Sequence, residues 1–208
     1  MSEMVLAAET LANIGPAISV FGSARIQPDS EHYQKSEKIA QLLAKAGFTV
    51  IAGGGPGIME AANKGAFEAG GTSIGLHIKL HHEAQANPFL SIELPFQHFV
   101  SRKSTFFMHS LGYVVLPGGF GTLDELFEAL ALMQLGKVPY GPVILVGSVF
   151  WGGLMSWIEA QLTVNGLINA IDPKTFFIAD EPEDVVAHLL DFYKEHPEIL
   201  RLQPNRAV

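Results

Sequence analysis

The chain has 208 residues, 48% of them hydrophobic, a formal net charge of −8 and no cysteine. That length suffices for one α/β domain with a substantial core. The acidic balance argues against non-specific nucleic-acid binding, and the missing cysteines exclude disulfides, thiolate catalysis and cysteine metal sites. No uncharged apolar run reaches the length of a membrane span. Glu3 and Glu9 near the start, with no basic cluster, are unlike a secretory leader. A cytoplasmic protein is expected, and the high apolar share points to surface buried between subunits.

Residues 1–16 read as an N-terminal arm: a short helix with Val5, Leu6, Leu11 and Ala12 to one side, stopped by Gly15-Pro16 and suited to packing on a partner subunit. Residues 17–196 read as the nucleotide-binding domain and 197–208 as a loosely ordered tail. Ala17 to Phe21 is a buried strand by length and residue type. Gly22-Ser-Ala-Arg25 follows at its carboxyl end, where open parallel sheets bind ligands. That makes Ser23 and Arg25 candidate pocket residues, although Arg25 serves equally as a surface arginine. Asp29 or Ser30 caps a helix to about Ala46, ended by Gly47. Phe48 to Ala52 is the next strand, and Gly53-Gly-Gly-Pro-Gly57 turns into a helix from Ile58 to Ala69.

This glycine corner, with Gly54 and Gly55 as binding candidates, is not a dinucleotide fingerprint, because Ile58 stands where its third glycine or alanine belongs. Thr72 to Ile78 is a strand, and 79–90 a polar loop. His77, His81 and His82 invite a metal reading, but nothing stands at zinc-binding spacing around them, so no metal is expected. Ser91 to Phe96 is a strand. Phe99 to Ser110 is a helix with Arg102, Phe106 and His109 on one side. Arg102 suits a bidentate grip on phosphate or stacking near a purine. Lys103 lies about 100° further round. The competing reading is a solvated basic pair.

Leu116-Pro-Gly-Gly-Phe-Gly-Thr-Leu-Asp-Glu125 is the most informative stretch. A strand (Tyr113 to Leu116) ends at Pro117, and Gly118, Gly119 and Gly121 permit unusual backbone angles and close ligand approach. Thr122 opens a helix whose unpaired N–H groups welcome an anion. Asp124 and Glu125 in its first turn would repel a phosphate. Either Thr122 and Glu125 form a capping box, or a carboxylate is wanted because the substrate holds phosphate and reacting carbon close together. Neither this turn nor any other matches a dinucleotide fingerprint or a P-loop. Two such corners suggest a mononucleotide lying across adjacent strand ends. Pro142 to Val146 is a further strand. Phe150 to about Val164 is an apolar helix whose Trp151 and Trp157 fit either base stacking or core and subunit contact. Lys174 to Ala179 is the last strand, and Pro182 opens the last helix. The alternation gives an α/β, Rossmann-like, doubly wound parallel sheet in a single domain, of about six or seven strands.

The decapeptide resembles the PGGxGTxxE signature of the Lonely Guy (LOG) family of cytokinin-activating phosphoribohydrolases, with Pro117, Gly118, Gly119, Gly121, Thr122 and Glu125 at its fixed positions. Arg102-Lys103 matches the family's Arg-Lys pair, and the resemblance runs from about Val20 to Glu159. It implies hydrolysis of the N-glycosidic bond of a cytokinin riboside monophosphate, or of AMP as in many bacterial relatives. It also implies a homodimer or larger homo-oligomer, with pockets near the subunit boundary. Glu125 and Arg102 are the implied catalytic pair. Lys103, Gly118, Gly119, Phe120, Gly121, Thr122, Asp124, Gly54, Gly55, Ser23 and Glu83 are the implied substrate-binding residues, with no cofactor and no metal. A carboxylate near the anomeric carbon suits a bond whose cleavage builds positive charge there. A non-enzymatic nucleotide-binding module would use the same glycine corners. Family members also carry a lysine decarboxylase label, a pyridoxal phosphate chemistry for which Lys103 is the available Schiff-base lysine.

Overall fold

The strands form where short apolar, partly β-branched runs meet glycine or proline, and their two faces explain the hydrophobic pattern. The computed structural model describes residues 2–79, 85–169 and 176–201. Strands β1 (Ala17–Phe21), β2 (Thr49–Ala52), β3 (Ser73–Ile78), β4 (Ile92–Phe96), β5 (Gly112–Val115), β6 (Val143–Val146) and β7 (Phe176–Ala179) make one seven-stranded sheet in the order β4-β3-β2-β1-β5-β6-β7. Every neighbouring pair is parallel. Around it stand α1 (Ser2–Thr10), α2 (Glu31–Lys45), α3 (Ile58–Glu68), α4 (Phe99–His109), α5 (Phe120–Gln134), α6 (Ser148–Trp157), α7 (Pro182–Glu195) and α8 (Pro197–Arg201).

Side chains alternate across a strand, so a sheet covered on both sides is apolar at every position. Val114 and Ile144 join a cluster with Leu43 of α2, Ile58 of α3 and Leu189 of α7. Their neighbours Tyr113, Val115, Val143 and Leu145 join a second cluster with Ala7 of α1, Phe106 of α4, Leu126 of α5 and Trp151 of α6. The sequence chose α2's limits locally. Ser30 caps it with its hydroxyl accepting from the His32 N–H, and Gly47 follows its end with φ of +90°.

Winding sets the place of the site. The chain lays down β1 to β4 outward in one direction, then returns to the other side of β1 with β5. The reversal opens a crevice at the carboxyl ends of β1 and β5. Three loops are stitched together there: the Leu116 N–H donates to Phe21 O at 2.8 Å, Ser23 N–H to Pro117 O at 3.1 Å, and Ile58 N–H to Ser23 O at 3.1 Å.

The arm helix α1 docks on α4 of its own chain, where Glu3 accepts the Gln97 N–H at 2.7 Å and contacts the Ser101 hydroxyl, while its Val5 and Leu6 stay exposed. These bonds hold the Glu3 carboxyl down at about 2. They tie α1 to the residues that lead into α4, whose own N-cap residue His98 makes no side-chain cap bond. Helix α5 begins at Phe120 with Gly119 as N-cap, not at Thr122, so the Thr122–Glu125 capping box does not form. Helix α6 starts earlier than expected, at Ser148, and passes into a π-helical turn over Ile158–Thr163. The stretch expected to be a loose tail starts with α8, whose Ile199 is buried in the first cluster.

Candidate active site

A cavity of about 780 Å³ occupies the switch-point crevice. The loop after β1 lines it through Gly22, Ser23, Ala24 and Arg25, β2 and β3 contribute Gly53 and Ile78, and α4 contributes Phe99, Arg102 and Phe106. The fourth wall is the start of α5, from Gly119 through Thr122 to Asp124 and Glu125. Phe120, Gly121 and Thr122 are the first three residues of that helix, whose N–H groups have no partner inside it. Gly119 makes no side-chain cap, so the positive pole of α5 is left to a ligand.

The glycines at this turn act through absent side chains rather than unusual torsions. None of Gly118, Gly119 and Gly121 has a positive φ, which corrects the expectation of unusual backbone angles. A Cβ on Gly118 would collide with the Thr122 side chain, which folds back over it. A Cβ on Gly119 or Gly121 would meet nothing within 4 Å, so their backbone stays open to an approaching ligand.

Arg102 reaches the cavity from the first turn of α4. Its Nε donates to Leu76 O, at the end of β3, at 2.7 Å, and its guanidinium lies 5.3 Å from the Phe106 ring centroid. That anchoring presses Nη2 against Gly53, where a Cβ would overlap both Arg102 and Met59. Gly53 thus lies under two side chains from other elements, Met59 of α3 and Arg102 of α4.

Glu125 is half-buried, and its Oε2 is fully enclosed without a hydrogen-bond partner. Burial pushes its carboxyl up to about 7; Arg102 and Lys103 oppose the rise, while Asp124 and Glu128 add to it. A carboxylate left unpaired in a cleft is expensive, and such groups concentrate at functional sites. Asp124 is exposed and sits 2.8 Å from the Lys103 ammonium, which also contacts Glu128. Its charge is therefore offset beside the anion-accepting turn.

The structure brings together Ser23, Arg102, Gly119, Phe120, Gly121, Thr122, Asp124 and Glu125 on one cavity, with Gly118 behind Thr122. It does not bring Lys103, Gly54 or Gly55 to that wall. Lys103 is turned to its two acidic partners. Gly54 and Gly55 instead tie down the loop before β4, their carbonyls accepting the Asn87 N–H at 2.8 Å and Asn87 Nδ2 at 3.0 Å. Neither tryptophan stacks over the cavity: Trp151 is core and Trp157 is 52% exposed on α6. Glu83, His81 and His82 lie outside the described residues. Among the described residues no group of three or more His, Asp or Glu could hold a metal ion. Sequence reasoning missed Glu128 and the apolar lining by Met59, Ile78 and Phe99. Glu128's signal was its four-residue spacing from Asp124, which puts both on one face of α5.

Fold and site together define a Rossmann-like protein with an anion-accepting crevice and a perturbed carboxylate at its switch point. The family described as "Possible lysine decarboxylase" matches residues 59–189, and the chain belongs to that family, the LOG family of the decapeptide signature. It is 26% identical over 189 residues to the "Bifunctional cytokinin biosynthesis protein" of Fusarium pseudograminearum (strain CS3096), covering 81% of this chain and 39% of that longer protein. It is also 26% identical over 178 residues to the "Cytokinin riboside 5'-monophosphate phosphoribohydrolase" of Rhodococcoides fascians, covering 82% of this chain and 87% of the relative. Among solved structures, the molybdenum cofactor carrier protein of Chlamydomonas reinhardtii superposes with a TM-score of 0.66 at 21% identity. That superposition spans 86% of this chain and 99% of the carrier, and is a likeness of fold.

Proposed function

We propose that the protein is a nucleoside 5'-monophosphate N-glycosidase, hydrolysing the bond between an adenine-type base and ribose 5-phosphate. The observation that carries this reading is Glu125: a carboxyl with a buried oxygen that has no hydrogen-bond partner, between one and two helical turns beyond the helix start that suits a phosphate, on the same cavity wall. The phosphate would sit on the N–H groups of residues 120–122 and the Thr122 hydroxyl, with Arg102 neutralising it or assisting the departing base. Anchoring the remote phosphate lends binding energy to the reacting centre. At the anomeric carbon, the bond to the base nitrogen breaks with its electron pair leaving on the base. Glu125 stabilises the developing cation and takes a proton from the water that adds there. A carboxyl titrating near 7 is matched to that proton transfer at neutral pH. The names of the curated relatives support a cytokinin riboside 5'-monophosphate as the substrate to try first.

A decarboxylase would need a lysine facing its cofactor. Among the described residues lining the cavity none is lysine. Burial pulls the Lys103 pKa down, but hydrogen bonds to Asp124 and Glu128 and the field of Glu125 outweigh it, so the amine is held charged rather than nucleophilic. Exposed Phe99, Val100 and Met108 on α4, with Phe120 93% exposed at the rim, support a homo-oligomer whose subunit boundary passes beside the cavity. No helix among the described residues is long and apolar enough to cross a membrane.

The deciding experiment is release of free base from AMP, other nucleoside monophosphates and isopentenyladenosine monophosphate by purified protein. Stoichiometric base and ribose 5-phosphate support the enzyme. Tight nucleotide binding without product would transfer the assignment to a non-enzymatic carrier.

A further inference from the structure

Lys103 of α4 lies in the field of three carboxylates of α5, and two of them hold it. Its ammonium is 2.8 Å from Asp124 Oδ2 and in contact with Glu128 Oε2. Asp124 and Glu128 are four residues apart and share a helix face; Glu125 points about 100° away from Asp124, toward the cavity. The lysine side chain is 18% exposed and Glu128 35% exposed, so water screens the Glu128 arm less than the 62%-exposed Asp124 arm. Meanwhile Glu125 Oε2 stays enclosed and unbonded. A half-buried ammonium beside an unpaired carboxylate would collapse onto it unless competitors held it away.

We propose that Glu128, with Asp124, clamps the Lys103 ammonium off Glu125, which makes Glu128 a positioning residue for the reactive carboxylate. This deepens the hydrolase reading and rests on it for its catalytic consequence. Among the described residues, the charged groups acting on Glu125 are Arg102 and Lys103 from α4 and Asp124 and Glu128 on its own helix, and Arg25 also lines the cavity. Arg102 is anchored at Leu76 O, so Lys103 is the cation whose position Glu128 controls. Taking away the Glu128 charge leaves Lys103 one arm and lets it swing to Glu125. The reactive carboxylate then becomes half of an ion pair, a poorer proton acceptor at neutral pH.

The test is a ¹³C-carboxyl NMR titration of the full chain, with the Glu125 signal assigned by its loss in Glu125→Gln, alongside kcat and KM for AMP across pH. In Glu128→Gln the Glu125 midpoint is expected to fall by about one unit, roughly a tenfold change in proton affinity. The ascending limb of kcat moves with it, while KM changes by less than about twofold. Lys103→Met is expected to move the midpoint the opposite way, and Glu128→Asp to restore it in part. Opposite shifts also follow from the direct fields of Glu128 and Lys103 on Glu125, so the clamp is read from the double variant: with Lys103→Met already in place, Glu128→Gln should no longer move the midpoint, and a full shift there overturns the clamp. A midpoint unmoved in folded Glu128→Gln, or moved in the same direction by both variants, overturns the clamp. Expected titration shifts in a protein that releases no base would sink the hydrolase reading and leave the clamp standing. Base release with an unmoved midpoint would do the reverse.

Discussion

The two glycine corners, Gly53–Gly57 after β2 and Gly118–Gly121 after β5, look alike in composition and differ in what the missing side chains do. At the first, the backbone itself needs glycine. Gly54 and Gly57 have φ of +73° and +68°. A Cβ on Gly57 would stand 2.5 Å from Ser23 O, and one on Gly53 would displace Arg102. At the second, every glycine has a φ open to any residue, and Gly119 and Gly121 face empty space. One corner is a joint that fixes the loops around the crevice, and the other leaves its backbone bare at Gly119 and Gly121. A glycine-rich turn is therefore no evidence of a binding site until it is known which atoms would crowd a Cβ.

The largest expected effect separates chemistry from scaffold at the second corner. Glu125→Gln should lower kcat for base release by about a thousandfold or more, with AMP affinity within a few-fold of wild type, because the amide keeps the shape and loses the proton acceptor. Single-turnover assays with equilibrium binding read both numbers. Unchanged turnover would remove Glu125 from the reaction.

At the joint, the effect should fall on folding. Gly57→Ala combines a positive φ with a clash against the β1 loop, and should cost about 2–4 kcal/mol in urea unfolding. A variant as stable as wild type would mean that this corner is no joint.

Slightly smaller is a pH effect from Glu125 itself. Its folded pKa of about 7 lies above its ordinary value of 4.5, so the folded state binds the proton more tightly than the unfolded chain. Relative to Glu125→Gln, the wild type is at full stability below pH 4.5 and loses ground as pH rises through 7. The deficit at pH 8 should reach about 2–3 kcal/mol at most. Unfolding of both proteins at pH 5 and 8 measures it, and parallel curves would contradict a strained carboxyl.

The smallest effect has opposite signs in two assays. Gly121→Ala should leave stability unchanged or raised by up to about 1 kcal/mol, since alanine is the better helix former and meets nothing nearby. The same methyl on the bare surface should raise KM for AMP by about tenfold. A fall in stability would show that the two corners are built alike after all.

Much of this was legible in the residues. Continuous apolar runs such as Val143–Val146 announced strands buried on both faces. The Ser30 cap and the Gly47 stop bounded α2, and the fixed positions from Pro117 to Glu125 carried the family. Local signals failed where a distant contact decided the matter. Thr122 and Glu125 have capping-box spacing, yet Gly119 takes the cap, because Thr122 folds over Gly118 and Glu125 turns into the crevice. Lys103 reads as a ligand residue beside Arg102, but Asp124 and Glu128 claim it from a helix that begins seventeen residues later in the chain. α1 reads as an appended arm, and no local signal announces that its Glu3 meets the residues leading into α4.

The sequence by itself determined periodicity, punctuation and the signature, because strand alternation, helix stops and a glycine-rich turn are each set by neighbours along the chain. Only the tertiary structure decided that β5 returns beside β1 to open the crevice and that Met59 and Arg102 close over Gly53. It also decided that Glu125, among the three acidic residues on α5, keeps a buried carboxyl oxygen without a hydrogen bond. Burial and charge act through space, and the groups that surround Glu125 come together only when α4 is laid against α5.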